Sequence, residues 1–222
     1  MRPTLPSRWG LLVAGLAGMG QLHAAQTILV WGDSLSAGYG VDSQRGWVRL
    51  LEQKLGTQAD APLRGWKVVN GSVSGETTAG GLARLPAALS RHRPDVVLIE
   101  LGGNDGLRGL DLKAMRSNFD AMVGLARKAG ATPVLFEMRI PANYGPVITG
   151  RFQKTFAEVA ESTKTPLVPF FLAPVASDRQ KWFQDDGIHP NNAAQPLMLD
   201  AVWPHLVPVL KAAAASPVAT AP

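Results

Sequence analysis

Three polar residues, far apart in this sequence, carry the functional groups of a nucleophile, a base and an orienting acid: Ser34, His189 and Asp186. Ser34 stands in a Gly-Asp-Ser-Leu turn that opens at Gly32, directly after an apolar run. A serine between a strand and a helix exposes its hydroxyl beyond the sheet edge, near the free N–H groups of the helix. An imidazole can take the serine proton near neutral pH, and a carboxylate from the same loop can orient the ring. The set predicts acyl transfer.

Acyl transfer also needs hydrogen-bond donors for the oxyanion of its transition state. The backbone N–H of Ser34, the backbone N–H of Gly75 and the side-chain amide of Asn104 could supply three. Glycine at position 75 lets the backbone approach a substrate closely. We therefore predict an oxyanion hole built from Ser34, Gly75 and Asn104.

Two other interpretations of these residues remain open at this stage. The segment from Asp186 to His189 could be a helix-capping turn, and Asn104 could be a plain turn residue. Alternatively, Asp33, Asn104, Asp186 and His189 could offer oxygen and nitrogen ligands to a metal ion. The sequence has no His-x-His or His-x-x-x-His pair, which argues against the metal site.

Apolar runs that precede these polar residues predict five strands, over 27–31, 67–70, 95–101, 133–138 and 166–170. The central runs are nearly continuous in Val, Ile and Leu, which is typical of parallel strands covered by helices on both faces. Ligands bind beyond the carboxyl ends of the strands in such a sheet. Four polar or glycine-rich segments fall at that edge: 32–34, 71–77, 102–106 and 185–191.

Apolar stripes at helical spacing predict helices near 47–55, 112–126 and 152–160, and a last helix within 192–210. Pro204 and Pro208 predict a kink or break near residue 203. The alternation predicts one domain over 26–210, a three-layer α/β/α sandwich with a central five-stranded parallel sheet. The low-complexity tail 211–222 is predicted to be disordered.

The N-terminus has the pattern of a secretory signal peptide over residues 1–25. Arg2 and Arg8 precede or flank an apolar stretch at 9–19, and small residues follow at Ala24 and Ala25. Removal of this segment leaves 20 basic and 17 acidic residues, with no basic cluster that would indicate nucleic-acid binding. The sequence contains no cysteine, so a disulfide framework is excluded. We expect a periplasmic or secreted protein.

Taken together, the motifs resemble the conserved blocks of the GDSL (SGNH) hydrolases. The resemblance covers roughly residues 27–210. It rests on these segments: Gly32-Asp33-Ser34-Leu35, Gly75, Gly103-Asn104-Asp105 and Asp186-Gly187-Ile188-His189-Pro190.

The resemblance implies a flavodoxin-like sandwich in which Ser34 is the nucleophile, His189 the base and Asp186 its orienting acid. It also implies that Gly75 and Asn104 complete the oxyanion hole, and that neither a metal ion nor an organic cofactor is needed. The substrate-binding residues that it implies lie in two segments: Gly106, Leu107 and Leu110 in one, and Ile140 and Pro141 in the other.

The resemblance further implies a serine esterase that hydrolyses fatty-acyl carboxylic esters and thioesters through an acyl-enzyme, with arylesterase, thioesterase and lysophospholipase activities. The alternatives are a carbohydrate O-acetylesterase, a catalytically silent lipid-binding protein and a metal-dependent phosphoesterase. The expected partners are small acyl esters, thioesters or lysophospholipids. We expect a monomer that binds no nucleic acid and has no stable membrane anchor.

Overall fold

The computed structural model describes residues 26–215, which form a five-stranded parallel sheet covered by helices. Its strands are β1 (Thr27–Gly32), β2 (Lys67–Asn70), β3 (Val96–Glu100), β4 (Thr132–Phe136) and β5 (Leu167–Val168). Every residue of β1 and β3 is buried, as the continuous apolar runs predicted. The five predicted strands are therefore confirmed, although β5 is shorter than its apolar run.

The strand order is β2-β1-β3-β4-β5. The chain leaves β1 toward one edge, returns across it and then builds the sheet in the other direction from β3. The carboxyl ends of β1 and β3 consequently flank a topological switch point, where ligands bind in open parallel sheets. Gly32 pairs with Glu100 across these two strands, so Ser34 and Asn104 emerge side by side.

The helices are α1 (Ser34–Ala37), α2 (Trp47–Gly56), α3 (Thr78–His92), α4 (Gly103–Leu107), α5 (Leu112–Lys128), α6 (Pro146–Thr163), α7 (Arg179–Trp182) and α8 (Gln195–Ala215). Helix α5 packs against both α3 and α6, while α2 packs with α8. Both groups also contact the strands. The predicted α/β/α sandwich is confirmed.

Helix α3 has no counterpart among the sequence predictions. It contains two adjacent glycines and Pro86, which weaken a helical pattern. The structure explains Gly81, because a Cβ there would lie 2.5 Å from a methyl group of Leu101. The glycine lets α3 pack closely against the chain that leaves β3. The same glycine lowers the helix propensity of the segment, so the sequence pattern does not indicate a helix there.

Helix α8 runs to Ala215 without interruption at Pro204 or Pro208, so of the kink or break predicted near residue 203, the break is absent. Both prolines are exposed, and the carbonyl groups that they leave without a backbone donor can bind water. The alanine-rich residues beyond 210 extend the helix, since alanine has the highest helix propensity. By length and hydropathy α8 could span a bilayer, and its buried stripe packs against α2 and β5.

Two sequence predictions concern residues that the structure does not describe. The signal peptide predicted over 1–25 lies outside the described residues, and so do positions 216–222 of the predicted tail. Both remain predictions.

Candidate active site

Ser34 is the first residue of α1, a single helical turn at the carboxyl end of β1. The Asp33 side chain caps this turn by accepting the N–H of Leu35 at 3.0 Å. Gly38 ends the turn with a φ of 75°, a conformation that suits glycine. The local sequence therefore fixes the Ser34 hydroxyl at the sheet edge, half-buried.

His189 reaches Ser34 from the loop between α7 and α8. Its Nε2 lies 2.8 Å from the Ser34 Oγ, and its Nδ1 lies 2.6 Å from Oδ2 of Asp186. The carboxylate holds the proton on Nδ1, so Nε2 can accept the serine proton. Two contacts therefore connect the side chains of Asp186, His189 and Ser34 in series.

The loop itself stabilises the charge on Asp186. Partial desolvation favours the neutral carboxyl, but the hydrogen bonds from the His189 N–H, the His189 ring and the Ile188 N–H outweigh it and lower the pKa of Asp186 to about 2. The two backbone donors lie 2.8 Å (Ile188) and 3.0 Å (His189) from Oδ1. Asp186 therefore stays ionised at neutral pH and can stabilise an imidazolium.

The three N–H donors predicted for the oxyanion hole lie on segments that meet at Asn104. Within residues 26–215, the backbone N–H groups of Ser34 and Gly75 have no acceptor. Gly75 has a φ of 79°, which turns its backbone in a way that favours glycine. The Asn104 Nδ2 lies 3.1 Å from Oδ2 of Asp33 and 3.0 Å from the carbonyl oxygen of Glu76. Asp33 directly precedes Ser34, and Glu76 directly follows Gly75. An oxyanion that accepts from the Asn104 amide would therefore replace either the Asp33 carboxylate or the Glu76 carbonyl oxygen as its acceptor.

Asp105 links two of the segments that supply these donors. Its carboxylate accepts the Thr78 N–H at 2.9 Å and the Thr78 hydroxyl at 2.5 Å. Thr78 follows the Gly75 turn, and Asp105 directly follows Asn104. A buried pair of hydrogen bonds therefore joins the segment that follows Gly75 to the helix that carries Asn104.

A second buried carboxyl group lies beneath the nucleophile. Oε2 of Glu100 accepts the Ser36 hydroxyl at 2.6 Å and the Asp33 N–H at 3.3 Å, so it contacts the residues on both sides of Ser34 and Leu35. Burial, followed by the nearby Asp33 carboxyl, raises the pKa of Glu100 well above its usual range. Burial is also the main cause that raises the pKa of Asp33 to about 6. Burial therefore favours the neutral form of Glu100.

A cavity of about 330 Å³ opens beside Ser34 and His189. Of the five residues that the resemblance implied for substrate binding, Leu107, Ile140 and Pro141 line it. Gly106 lies behind the wall, where a Cβ would be 2.5 Å from Ile140. Leu110 is exposed and lies outside the lining.

Sequence reasoning missed most of the apolar wall. The further lining residues include Met138, Phe170, Leu172, Phe183 and Ile188. Met138, Phe170 and Leu172 follow β4 and β5 at the carboxyl edge, a position that could have marked them. Phe183 and Ile188 lie on the loop that carries the imidazole, and no local pattern distinguishes them. The lining makes the cavity suited to an apolar chain.

The residues considered for a metal site are arranged otherwise. Among the described residues, no three His, Asp or Glu side chains cluster in a way that could hold a metal ion. Asp186 and His189 bind each other, and Asp33 is engaged by Leu35 and Asn104.

Residues 30–196 match the GDSL-like lipase/acylhydrolase family. The chain is 48% identical over 190 residues to the esterase TesA of Pseudomonas aeruginosa, covering 86% of this chain and 92% of that protein. It is 43% identical over 185 residues to an arylesterase of Vibrio mimicus, covering 83% and 90%. It is 42% identical over 187 residues to thioesterase 1/protease 1/lysophospholipase L1 of Escherichia coli, covering 84% and 86%.

Among solved structures, the chain is similar to the psychrotrophic esterase EstA from Pseudoalteromonas, in a form inhibited by monoethylphosphonate. The TM-score is 0.77 at 42% identity, and the alignment covers 83% of this chain and 98% of that one.

Proposed function

The chain belongs to the GDSL-like lipase/acylhydrolase family, and we propose that it hydrolyses fatty-acyl carboxylic esters and thioesters through an acyl-enzyme on Ser34. The observation that carries the proposal is the 2.8 Å contact between the Ser34 Oγ and the His189 Nε2. The relatives named esterase, arylesterase and thioesterase/lysophospholipase support the substrate class.

The reaction follows from the positions of the groups. Oγ of Ser34 attacks the acyl carbonyl while its proton passes to His189, and the charge on Asp186 stabilises the imidazolium. The carbonyl oxygen becomes an oxyanion and accepts hydrogen bonds from Ser34, Gly75 and Asn104. The tetrahedral intermediate collapses, and His189 returns the proton to the departing alcohol or thiol. Water then repeats the sequence on the acyl-enzyme and releases the fatty acid.

The cavity supports acyl chains rather than acetyl groups alone. Its wall is mainly hydrophobic and includes Leu107, Ile140 and Phe183, and an apolar wall gains binding free energy with each methylene group buried. A carbohydrate O-acetylesterase would instead lose rate as the acyl chain lengthens. A comparison of acetyl with octanoyl p-nitrophenyl esters separates the two functions, and faster octanoyl turnover is expected.

The central test is Ser34→Ala, with Ser90→Ala, an exposed serine of α3, as the matched control. Ser34→Ala should abolish p-nitrophenyl ester turnover and labelling by a fluorophosphonate probe, and Ser90→Ala should change neither. Activity of Ser34→Ala within tenfold of the parent would refute the assignment. A parent protein that resists the probe would instead indicate a silent lipid-binding protein.

The site residues and the cellular context are part of the same proposal. Leu107, Ile140 and Pro141 form the acyl-binding region and Gly106 supports it, whereas Leu110 lies outside its lining. The basic and apolar N-terminal sequence supports export to the periplasm or beyond, with cleavage near residue 25. The mature enzyme would then act as a monomer on small acyl substrates, without a stable membrane anchor or a nucleic-acid partner.

A further inference from the structure

The imidazole of His189 has a neighbour besides Ser34 and Asp186. The Tyr39 ring lies 4.6 Å from the His189 ring, centroid to centroid, with the planes tilted by 43°. Tyr39 comes just after α1, and its ring is about half exposed. One face of the imidazole is therefore covered by a residue from the segment that carries the nucleophile.

Gln184 joins that segment to the histidine loop. Its side-chain Nε2 donates to the carbonyl oxygen of Tyr39 at 2.8 Å and to that of Pro190 at 3.2 Å. Its backbone N–H donates to the carbonyl oxygen of His189 at 2.8 Å. A single residue thus contacts the backbone at His189, at its successor and at Tyr39.

Gly40 indicates independently that this contact is built into the fold. Its φ is 68°, and a Cβ at this position would overlap Oε1 of Gln184. Any larger residue would therefore push the Gln184 side chain away from the Tyr39 carbonyl. The turn at 38–40 approaches the histidine loop closely because glycine occupies position 40.

We propose that Gln184 and Tyr39 are positioning residues that hold the His189 imidazole in line with the Ser34 hydroxyl. The inference rests on the proposed function and adds residues that act through His189. Asp186 fixes the ring only at Nδ1, so the ring could still swing about that bond. Tyr39 limits the swing by covering one face, and Gln184 fixes the distance between the loops that carry the two rings.

The expected size of the effect follows from geometry. The serine-to-imidazole distance of 2.8 Å leaves little room for displacement, and a misplacement of about 1 Å can cost about 100-fold in rate. We expect Gln184→Ala to lower kcat by about 10- to 100-fold on p-nitrophenyl acetate, with KM within twofold of the parent. Gln184→Glu should lower kcat by a similar factor, because a carboxylate cannot donate to the carbonyl oxygens of Tyr39 and Pro190 and would repel them.

The matched control is Gln58→Ala. Gln58 also donates from Nε2 to a backbone carbonyl, that of Lys54 at 3.0 Å, but it lies beyond the far end of α2. This variant should leave kcat unchanged. If Gln184→Ala lowers the melting temperature but leaves kcat within twofold, Gln184 has only a structural role and the inference is overturned.

Tyr39 provides a second test that does not depend on the fold tolerating a change at Gln184. The ring is exposed enough for its truncation to leave the core intact. Tyr39→Phe keeps the ring and should retain kcat within twofold, whereas Tyr39→Ala should lower kcat about tenfold. Tyr39→Ala should lower the rate constant of inactivation by a small phosphonate in parallel. A rise in KM alone would indicate substrate contact and refute positioning.

Failure of the proposed function can be distinguished from failure of the positioning inference. A parent protein that neither turns over esters nor reacts with the phosphonate would overturn the proposed function together with this inference. An active, phosphonate-sensitive parent whose Gln184→Ala and Tyr39→Ala variants react equally fast would overturn the inference alone.

Discussion

The sharpest prediction of the proposed mechanism concerns Asn104→Ala. Removal of one oxyanion donor lowers kcat by about 10²- to 10³-fold, equivalent to about 2.7–4 kcal/mol of transition-state stabilisation. The Asn104 Nδ2 lies 3.1 Å from the Asp33 carboxylate, and an oxyanion would bind beside it. We therefore expect kcat for p-nitrophenyl butyrate to fall by that factor while KM changes little, since the interaction strengthens in the transition state.

The same substitution has a separate effect on stability. Asp33 is buried and accepts a hydrogen bond from Asn104, so the variant leaves a buried acceptor with one donor fewer. Such a loss costs about 1–3 kcal/mol, and each kcal/mol lowers the melting temperature by about 2–4 °C in a domain of this size. The variant should nevertheless remain folded at 25 °C, where kcat is measured.

The control for this prediction is Gln26→Ala. Gln26 donates to the carbonyl oxygen of Ala213 at 3.2 Å, so its loss also removes an amide donor from a half-buried position, but one just before β1, at the opposite end of that strand from Ser34. It should lower the melting temperature and leave kcat within threefold. The reasoning would be refuted if Asn104→Ala kept kcat within fivefold, or if both variants lost the same activity.

Three further predictions follow from the site. Asp186→Asn keeps the side-chain shape but removes the charge that stabilises the imidazolium, and should lower kcat on the order of 10⁴-fold. Glu100→Gln should flatten the pH dependence of stability. A carboxyl group whose pKa is raised on folding binds more protons in the folded state, so the free energy of unfolding of the parent falls as pH rises above about 4. Denaturant titrations at pH 5 and pH 8 should therefore differ less in the variant than in the parent. Gly106→Ala places a methyl group 2.5 Å from Ile140 and 2.6 Å from Phe152, so it should lower stability by about 1–3 kcal/mol and reduce the octanoyl-to-acetyl rate ratio.

Two of these variants have a matched control, and each of the three has an outcome that contradicts it. Asp120→Asn changes an exposed carboxylate of α5 and should leave kcat unchanged. Equal losses of kcat in Asp186→Asn and Asp120→Asn would count against a specific role for Asp186. Parallel pH curves for Glu100→Gln and the parent would show that Glu100 does not carry the proton. Gly124→Ala adds a methyl group to α5 with no atom within 4 Å, so a similar loss there would rule out the packing argument.

Strand positions and the polar sheet edge could be predicted from the sequence because they follow from local patterns. Continuous apolar runs mark buried parallel strands, and glycine-rich turns mark their carboxyl ends. Helix α3 could not be predicted in this way, because Gly81 is set by its contact with Leu101 twenty residues away. The end of α8 was missed for a related reason, since composition alone does not tell a helical alanine run from a disordered one.

The supporting parts of the site depend on contacts between distant residues. Glu100 and Ser36 are 64 positions apart, and Asp105 and Thr78 are 27 apart. Their types suggested no role in the sequence, where Glu100 is simply a charged residue at the end of an apolar strand. Their function becomes apparent only when the strand order brings the segments together.

The separation between Ser34 and His189, 155 positions along the chain, also bears on how the protein acquires activity. The first β-α unit and the loop before the last helix must both be in place before any ester can be cleaved, and such long-range contacts form slowly. Recovery of turnover after dilution from denaturant should therefore lag behind the return of secondary structure, which makes the reaction a reporter of completed refolding. A nascent chain that lacks its final forty residues would be folded in part, yet inert.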